Sequence, residues 1–182
     1  MIVQSMITTR RSGSIRGARS HTNSRGNAYY RKGDYDHAIA DYTEVIRLDP
    51  KSAIAYNGRG NAYYGNNDYD HAIVDYTEAI RLSSSYSAAY NGRGNAYYHK
   101  NDYDHAIADY TEAIRLDYSF AIAYSDRGNA YEKKGELQWA MADYKLALRF
   151  DASLQRAAEG IKRLTQAALQ HRDTAPARRP RH

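Results

Sequence analysis

Residues 53–86 read AIAYNGRGNAYYGNNDYDHAIVDYTEAIRLSSSY and residues 87–120 read SAAYNGRGNAYYHKNDYDHAIADYTEAIRLDYSF, with 26 identities in 34 positions. The string RGNAY recurs at the same interval outside this pair, beginning at Arg25, Arg59, Arg93 and Arg127, and DYDHAI follows it from Asp34, Asp68 and Asp102. A fixed period of this length marks a tandem array of one supersecondary unit. Within the unit, Tyr56, Gly60 and Tyr63 are spaced four and three apart and share one face of a first helix. Tyr69, Ala72, Ile73, Tyr76, Ala79 and Ile80 trace the apolar stripe of a second helix.

The residues between the two stripes fit a helical hairpin. Gly33, Asn67, Asn101 and Gly135 are the residue types that tolerate the left-handed conformation ending a helix. Asp34, Asp68 and Asp102 come next and suit the N-cap of the second helix, with Asp36, Asp70 and Asp104 near its positive end. Gly26, Gly60, Gly94 and Gly128 fall inside the first helices, where glycine costs about 1 kcal/mol relative to alanine. A close helix crossing accounts for them if each faces a small residue of the partner helix: Ala38, Ala72, Ala106 and Ala140.

These residues resemble the tetratricopeptide repeat family. The motif is carried by Tyr56, Gly60, Tyr63, Ala72, Tyr76 and Ala79, and again by Tyr90, Gly94, Tyr97, Ala106, Tyr110 and Ala113. The resemblance implies an all-α, right-handed α-α superhelix, a solenoid of four helical hairpins over 19–52, 53–86, 87–120 and 121–154. The chain departs from the family where Arg25, Arg59, Arg93 and Arg127 stand in place of the usual Leu, and its inter-repeat Pro survives only as Pro50. Thr22 replaces the Tyr of later units, so the first helix is expected to fray or to begin late. A positive charge beside a packed face is costly unless paired. Asp41, Asp75, Asp109 and Asp143 recur in step with the arginines, so a ladder of Arg–Asp pairs is expected, the alternative being arginines that snorkel to water.

The last unit differs as an end should, with Glu136, Leu137, Gln138 and Trp139 where earlier units have Asp-Tyr-Asp-His. Leu154, Ala157, Ile161, Leu164 and Ala168 then describe one stripe of a capping helix over 155–171, with Gln155, Arg156, Glu159, Lys162, Arg163 and Gln166 expected in water. Residues 1–18 and 172–182 read as disordered basic ends. Of the 182 residues, 1–24 carry four Arg and no acid, 155–182 seven bases and two acids, and 25–154 fifteen bases and nineteen acids. Such ends suit RNA or anionic membrane, with the array as a spacer, and this is the alternative reading of function. The Arg- and Ser-rich leader also keeps organelle import open, whereas the absence of Cys, of a secretory signal and of an apolar span favours the cytoplasm.

Catalysis finds no support, because every polar group that might suggest a site recurs with the repeat, whereas an active site needs one unique cluster. The Asp and His of DYDHAI are better explained by capping than by metal binding, and neither metal nor cofactor is expected. The stronger functional signal is a second stripe on the first helices: Asn23, Asn27 and Tyr30; Asn57, Asn61 and Tyr64; Asn91, Asn95 and Tyr98; and Asn129 in the fourth unit. The resemblance implies that this stripe faces a concave groove, where amides exchange hydrogen bonds with an extended peptide and Tyr rings add apolar contact. Some relatives grip the C-terminal carboxylate of a chaperone tail with Lys or Arg here. Asn23, Asn27, Asn91 and Asn95 stand where those cations would be, so a neutral or basic peptide or a partner helix is the expected ligand of a non-enzymatic adaptor. Near-identical units can also pair between chains, so the oligomeric state stays open.

Overall fold

The computed structural model describes residue 17 and residues 19–173. Helix α1 occupies residues 19–31, so the first helix does not begin late. It is followed by α2 (Tyr35–Leu48), α3 (Ala53–Gly65), α4 (Tyr69–Leu82), α5 (Ser87–His99), α6 (Tyr103–Leu116), α7 (Ala121–Lys134), α8 (Leu137–Phe150) and α9 (Gln155–Asp173). The chain divides into two compact units, residues 1–109 and 110–182, with the division inside α6. In the first unit α3 packs on α2 and α4, and α5 on α4 and α3; in the second α7 and α9 both pack on α8. The expected leader, residue 17 apart, and the expected tail from residue 174 lie outside the described residues; residues 172 and 173 belong to α9.

One aspartate organises the turn of each of the first three hairpins. Asn67 and Asn101 adopt φ of 61°, and Gly33 and Gly135 adopt 76° and 78°. This left-handed residue lets the next N–H turn back, Asp34 to Tyr29 O at 3.0 Å and Asp68 to Tyr63 O at 2.9 Å, closing the first helix. The same aspartates then cap the second helix, their carboxylates accepting from the backbone N–H of His37, His71 and His105. Glu136 repeats the backbone half of this arrangement, reaching Tyr131 O, but offers no side-chain cap.

The core is built of alanine and tyrosine. Tyr42, Tyr76, Tyr110 and Tyr144 are at most 2% exposed, and Ala38, Ala72, Ala106 and Ala140 are fully buried. A tyrosine ring joins the expected Gly–Ala crossing. A Cβ on Gly60 would lie 3.0 Å from the Tyr76 ring, one on Gly26 3.2 Å from Tyr42, and one on Gly128 2.8 Å from Tyr144. In each of these hairpins the glycine makes room for a tyrosine ring sixteen residues ahead, and Gly128 also for the backbone carbonyl of Ala140 at 3.3 Å. A second glycine, one helix further along, covers the other side: Gly58 for Tyr42, Gly92 for Tyr76 and Gly160 for Tyr144.

The capping helix also departs from expectation in detail. Ala157 and Leu164 are buried and Leu154 and Ile161 pack against them, but Ala168 is exposed. Arg156 and Arg163, expected in water alone, reach back to α7 and pair with Asp126 and Glu132 at 2.9 Å each. Asp126 occupies the register of Gly58 and Gly92 and is 4% exposed, so its burial requires that cation.

Candidate functional site

The stripe Asn23, Asn27, Tyr30, Asn57, Asn61, Tyr64, Asn91, Asn95 and Tyr98 belongs to α1, α3 and α5 of the first unit; Asn129 lies on α7 of the second. Its members are not equivalent. Asn57 and Asn91 are only 8% and 7% exposed, so the row is not accessible along its whole length. Asn27, Asn61 and Asn129 have a structural duty. The Tyr42 hydroxyl donates to Asn27 Oδ1 at 2.6 Å, Tyr76 to Asn61 at 2.7 Å and Tyr144 to Asn129 at 2.8 Å. A buried phenol needs a partner, and these amides supply one while keeping their N–H groups for other acceptors. Asn27 is exposed, and Asn23, Asn61, Asn95 and Asn129 are half-buried.

Aromatic rings continue the face. Tyr30, Tyr64 and Tyr98 are half-buried and sit against Tyr35, Tyr69 and Tyr103, with centroids 5.8, 5.7 and 5.4 Å apart. Burial, and secondarily Tyr35, raises the Tyr30 hydroxyl pKa. His99 stacks on Tyr69 at 5.1 Å and meets Tyr64 and Tyr98 edge-on. At the equivalent place one unit earlier, Gly65 leaves space for the Tyr35 ring.

The arginine series is paired with aspartates. Arg25, Arg59, Arg93 and Arg127 each grip the aspartate sixteen residues ahead through two nitrogens at 2.6–2.9 Å. The three later arginines also reach the threonine sixteen residues behind, Thr43, Thr77 and Thr111. The Asp–His pairs are likewise occupied. His37, His71 and His105 bond their cap aspartates through Nδ1 at 2.7–2.8 Å and stack on Tyr29, Tyr63 and Tyr97. Among the described residues no cluster of three or more His, Asp or Glu is placed to hold a metal, and no helix is long and apolar enough to cross a membrane.

A cavity of about 240 Å³ adjoins the stripe at Asn23, between α1, the end of α2 and the start of α3. Sequence reasoning missed it, although one signal was present. The residue just before α3, α5, α7 and α9 is Ser52, Tyr86, Phe120 and Leu154 in turn, and only Ser52 is small and polar.

Comparison with known proteins agrees with this geometry. Family models described as TPR repeat match residues 26–67 and 94–135, and models described as tetratricopeptide repeat match 53–86 and 121–154. A crystal structure of MamA is 26% identical with a TM-score of 0.71, covering 79% of this chain and 84% of that one. The first TPR of Spaghetti (RPAP3), bound to the HSP90 peptide SRMEEVD, is 27% identical with a TM-score of 0.64, over 66% of this chain and 96% of that one. The second TPR domain of human RPAP3, in complex with the HSP70 peptide SGPTIEEVD, is 29% identical with a TM-score of 0.60, over 62% and 94%. Comparison with curated proteins returned no match.

Proposed function

Since the chain belongs to the tetratricopeptide repeat family, a fold of helical-hairpin solenoids, we propose that it is a non-enzymatic scaffold whose α1–α3–α5 face binds an extended peptide or a partner helix. The observation that carries this reading is the row of amide and phenol groups on that face, set beside first-helix arginines that are paired with aspartates. Asn27 and Asn61 accept from tyrosine hydroxyls through Oδ1, and their amide N–H groups, 34 residues apart, are the donors such a ligand would use. Regularly spaced donors suit the regularly spaced carbonyls of an extended backbone.

Two solved neighbours hold acidic peptides ending in EEVD, which supports a peptide as the ligand class. Their charge does not transfer to this face. Its asparagines are neutral, and the arginines of the first helices are held on Asp41, Asp75 and Asp109. A neutral or basic peptide fits this environment better than an acidic tail.

The test is a screen of arrayed peptides against the full chain, followed by titration of a selected peptide against Asn61→Ala/Asn95→Ala. Loss of two hydrogen bonds of about 1 kcal/mol each weakens binding roughly 10- to 30-fold, with helical circular dichroism retained. Undiminished affinity in the double variant would move the interface off this face.

A further inference from the structure

We propose that the cavity at the start of the stripe is an anchor pocket for one aromatic side chain, tyrosine or phenylalanine, of the bound peptide. This rests on the peptide-binding reading above and adds to it the residue type that sets specificity.

In the later units the same register carries a large side chain. Tyr86 and Phe120 stand immediately before the first helices α5 and α7 and Leu154 immediately before the capping helix α9, 34 residues apart, and neither Tyr86 nor Phe120 makes a side-chain cap. Tyr86 is sufficiently buried that desolvation raises its hydroxyl pKa. Leu154 shows what such a residue does. It packs on a cluster containing Tyr124, Ala147 and Ala157. The counterparts of these four residues in the first unit are Ser52, Thr22, Val45 and Ala55. Two large side chains are thus replaced by small polar ones, and Ser52 turns its hydroxyl back to accept from the Ala55 N–H at 3.3 Å. No wedge enters from residue 52, and a space of about 240 Å³ remains.

The size and lining suit an aromatic ring with a polar edge. An apolar cavity of about 150 Å³ accepts benzene, so this one has room for a phenol. Its floor is Val45, 2% exposed, and one wall is Ile54, 65% exposed. Asn23 belongs to the lining, and so do Arg19 and Asp49, which are bonded to each other. A ring can therefore lie on aliphatic surface while a hydroxyl meets amide or carboxylate groups. Asn23 also belongs to the proposed peptide-binding row, so a peptide lying along that row passes the mouth of the pocket.

The probe is p-cresol, the tyrosine side chain without its backbone, titrated into the full chain labelled at Val and Ile methyl groups. Saturable shifts centred on Val45 and Ile54 are expected. They disappear in Ser52→Tyr, which restores the wedge of the other units, and in Ile54→Asp, an exposed position whose replacement leaves the α3 cap intact. Peptides selected on the full chain carry a Tyr or Phe at one fixed position, and replacing it by Ala weakens binding to the wild type but not to Ser52→Tyr. No shift at Val45 and Ile54 in the wild type, as when residues 1–16 or a second copy fill the pocket, overturns the proposal. If Ser52→Tyr and Ile54→Asp bind the peptide like the wild type while Asn61→Ala/Asn95→Ala does not, the pocket fails and the peptide-binding face stands. If all three variants bind like the wild type, both fail.

Discussion

A tyrosine held between two glycines is the residue-scale unit of this protein. Tyr76 is 1% exposed, its ring flanked by Gly60 and Gly92, and its hydroxyl satisfied by Asn61. Any side chain at position 92 meets the ring, since even a Cβ there would approach within 2.6 Å. Gly92→Leu gains about 1 kcal/mol of helix propensity but overpacks a rigid site by roughly 1–3 kcal/mol or more. We therefore expect it to lower the thermal midpoint by several degrees, whereas Ala108→Leu at an exposed helical position leaves it nearly unchanged; equal midpoints would contradict the flanking role. Tyr76→Phe should cost about 0.5–1.5 kcal/mol, read in a denaturation midpoint, because it removes only the bond to a half-exposed amide. The glycines were legible in the sequence as close-packing residues, but their partner was not. Helical spacing says which residues of one helix share a face; it does not say how far two helices slide past each other, and that offset brings the Tyr76 ring against Gly60.

At the scale of the element, the first three hairpins are fixed at two points, a turn closed by one aspartate and a crossing clamped by an arginine; the fourth keeps the clamp but has Glu136 at its turn. Both were readable, because each uses residue types with strong positional preference: left-handed Asn or Gly before Asp, and Arg in step with Asp. What was not readable is that the clamp extends to a neighbouring hairpin through Thr43, Thr77 and Thr111, since a threonine on an exposed helix face carries no signal of its partner. The same limit hid the burial of Asn57 and Asn91, which share the spacing of the accessible asparagines but sit deeper in the packing. Asp75 is buried and Arg59 is its cation. Arg59→Leu leaves an uncompensated carboxylate and should cost roughly 3 kcal/mol, while Arg59→Leu/Asp75→Leu should recover most of that loss. A double variant as unstable as the single one would show that the pair is not the source of the effect. Asp68→Ala removes one cap and should cost about 1 kcal/mol, with amide exchange accelerated first in the opening turn of α4.

For the whole molecule, the nineteen tyrosines set the response to pH. Below neutrality the relevant groups are exposed acids. Asp34 is held below the ordinary carboxylate range by its hydrogen bond with His37, and Glu44, Glu78 and Glu112 by Arg47, Arg81 and Arg115. A depressed acid contributes stability above its unfolded pKa and loses it as pH falls through the folded one, and because these groups are solvated the loss on acidification is shallow. The alkaline side differs in kind. Burial pushes the Tyr42 hydroxyl from 10.0 up to about 12 and Tyr76 further in the same direction. A raised phenol contributes stability fully present below pH 10 and lost as pH climbs through the folded value, because the unfolded chain gives up its protons first. The Arg–Asp pairs stay charged over that range, since the aspartate raises Arg59 and Arg93 further still. Alkaline titration should therefore show two stages. A first rise in phenolate absorbance leaves helicity intact; a second accompanies loss of helical circular dichroism as the buried Tyr42 and Tyr76 give up their protons, the two signals moving in step. In Tyr42→Phe/Tyr76→Phe the second stage carries two fewer phenolates and begins at higher pH relative to that variant's own neutral stability. Ionisation of all nineteen in one early stage, with the helices preserved, would mean that the tyrosine core is open to water and that its hydroxyl–amide bonds do not hold the hairpins together.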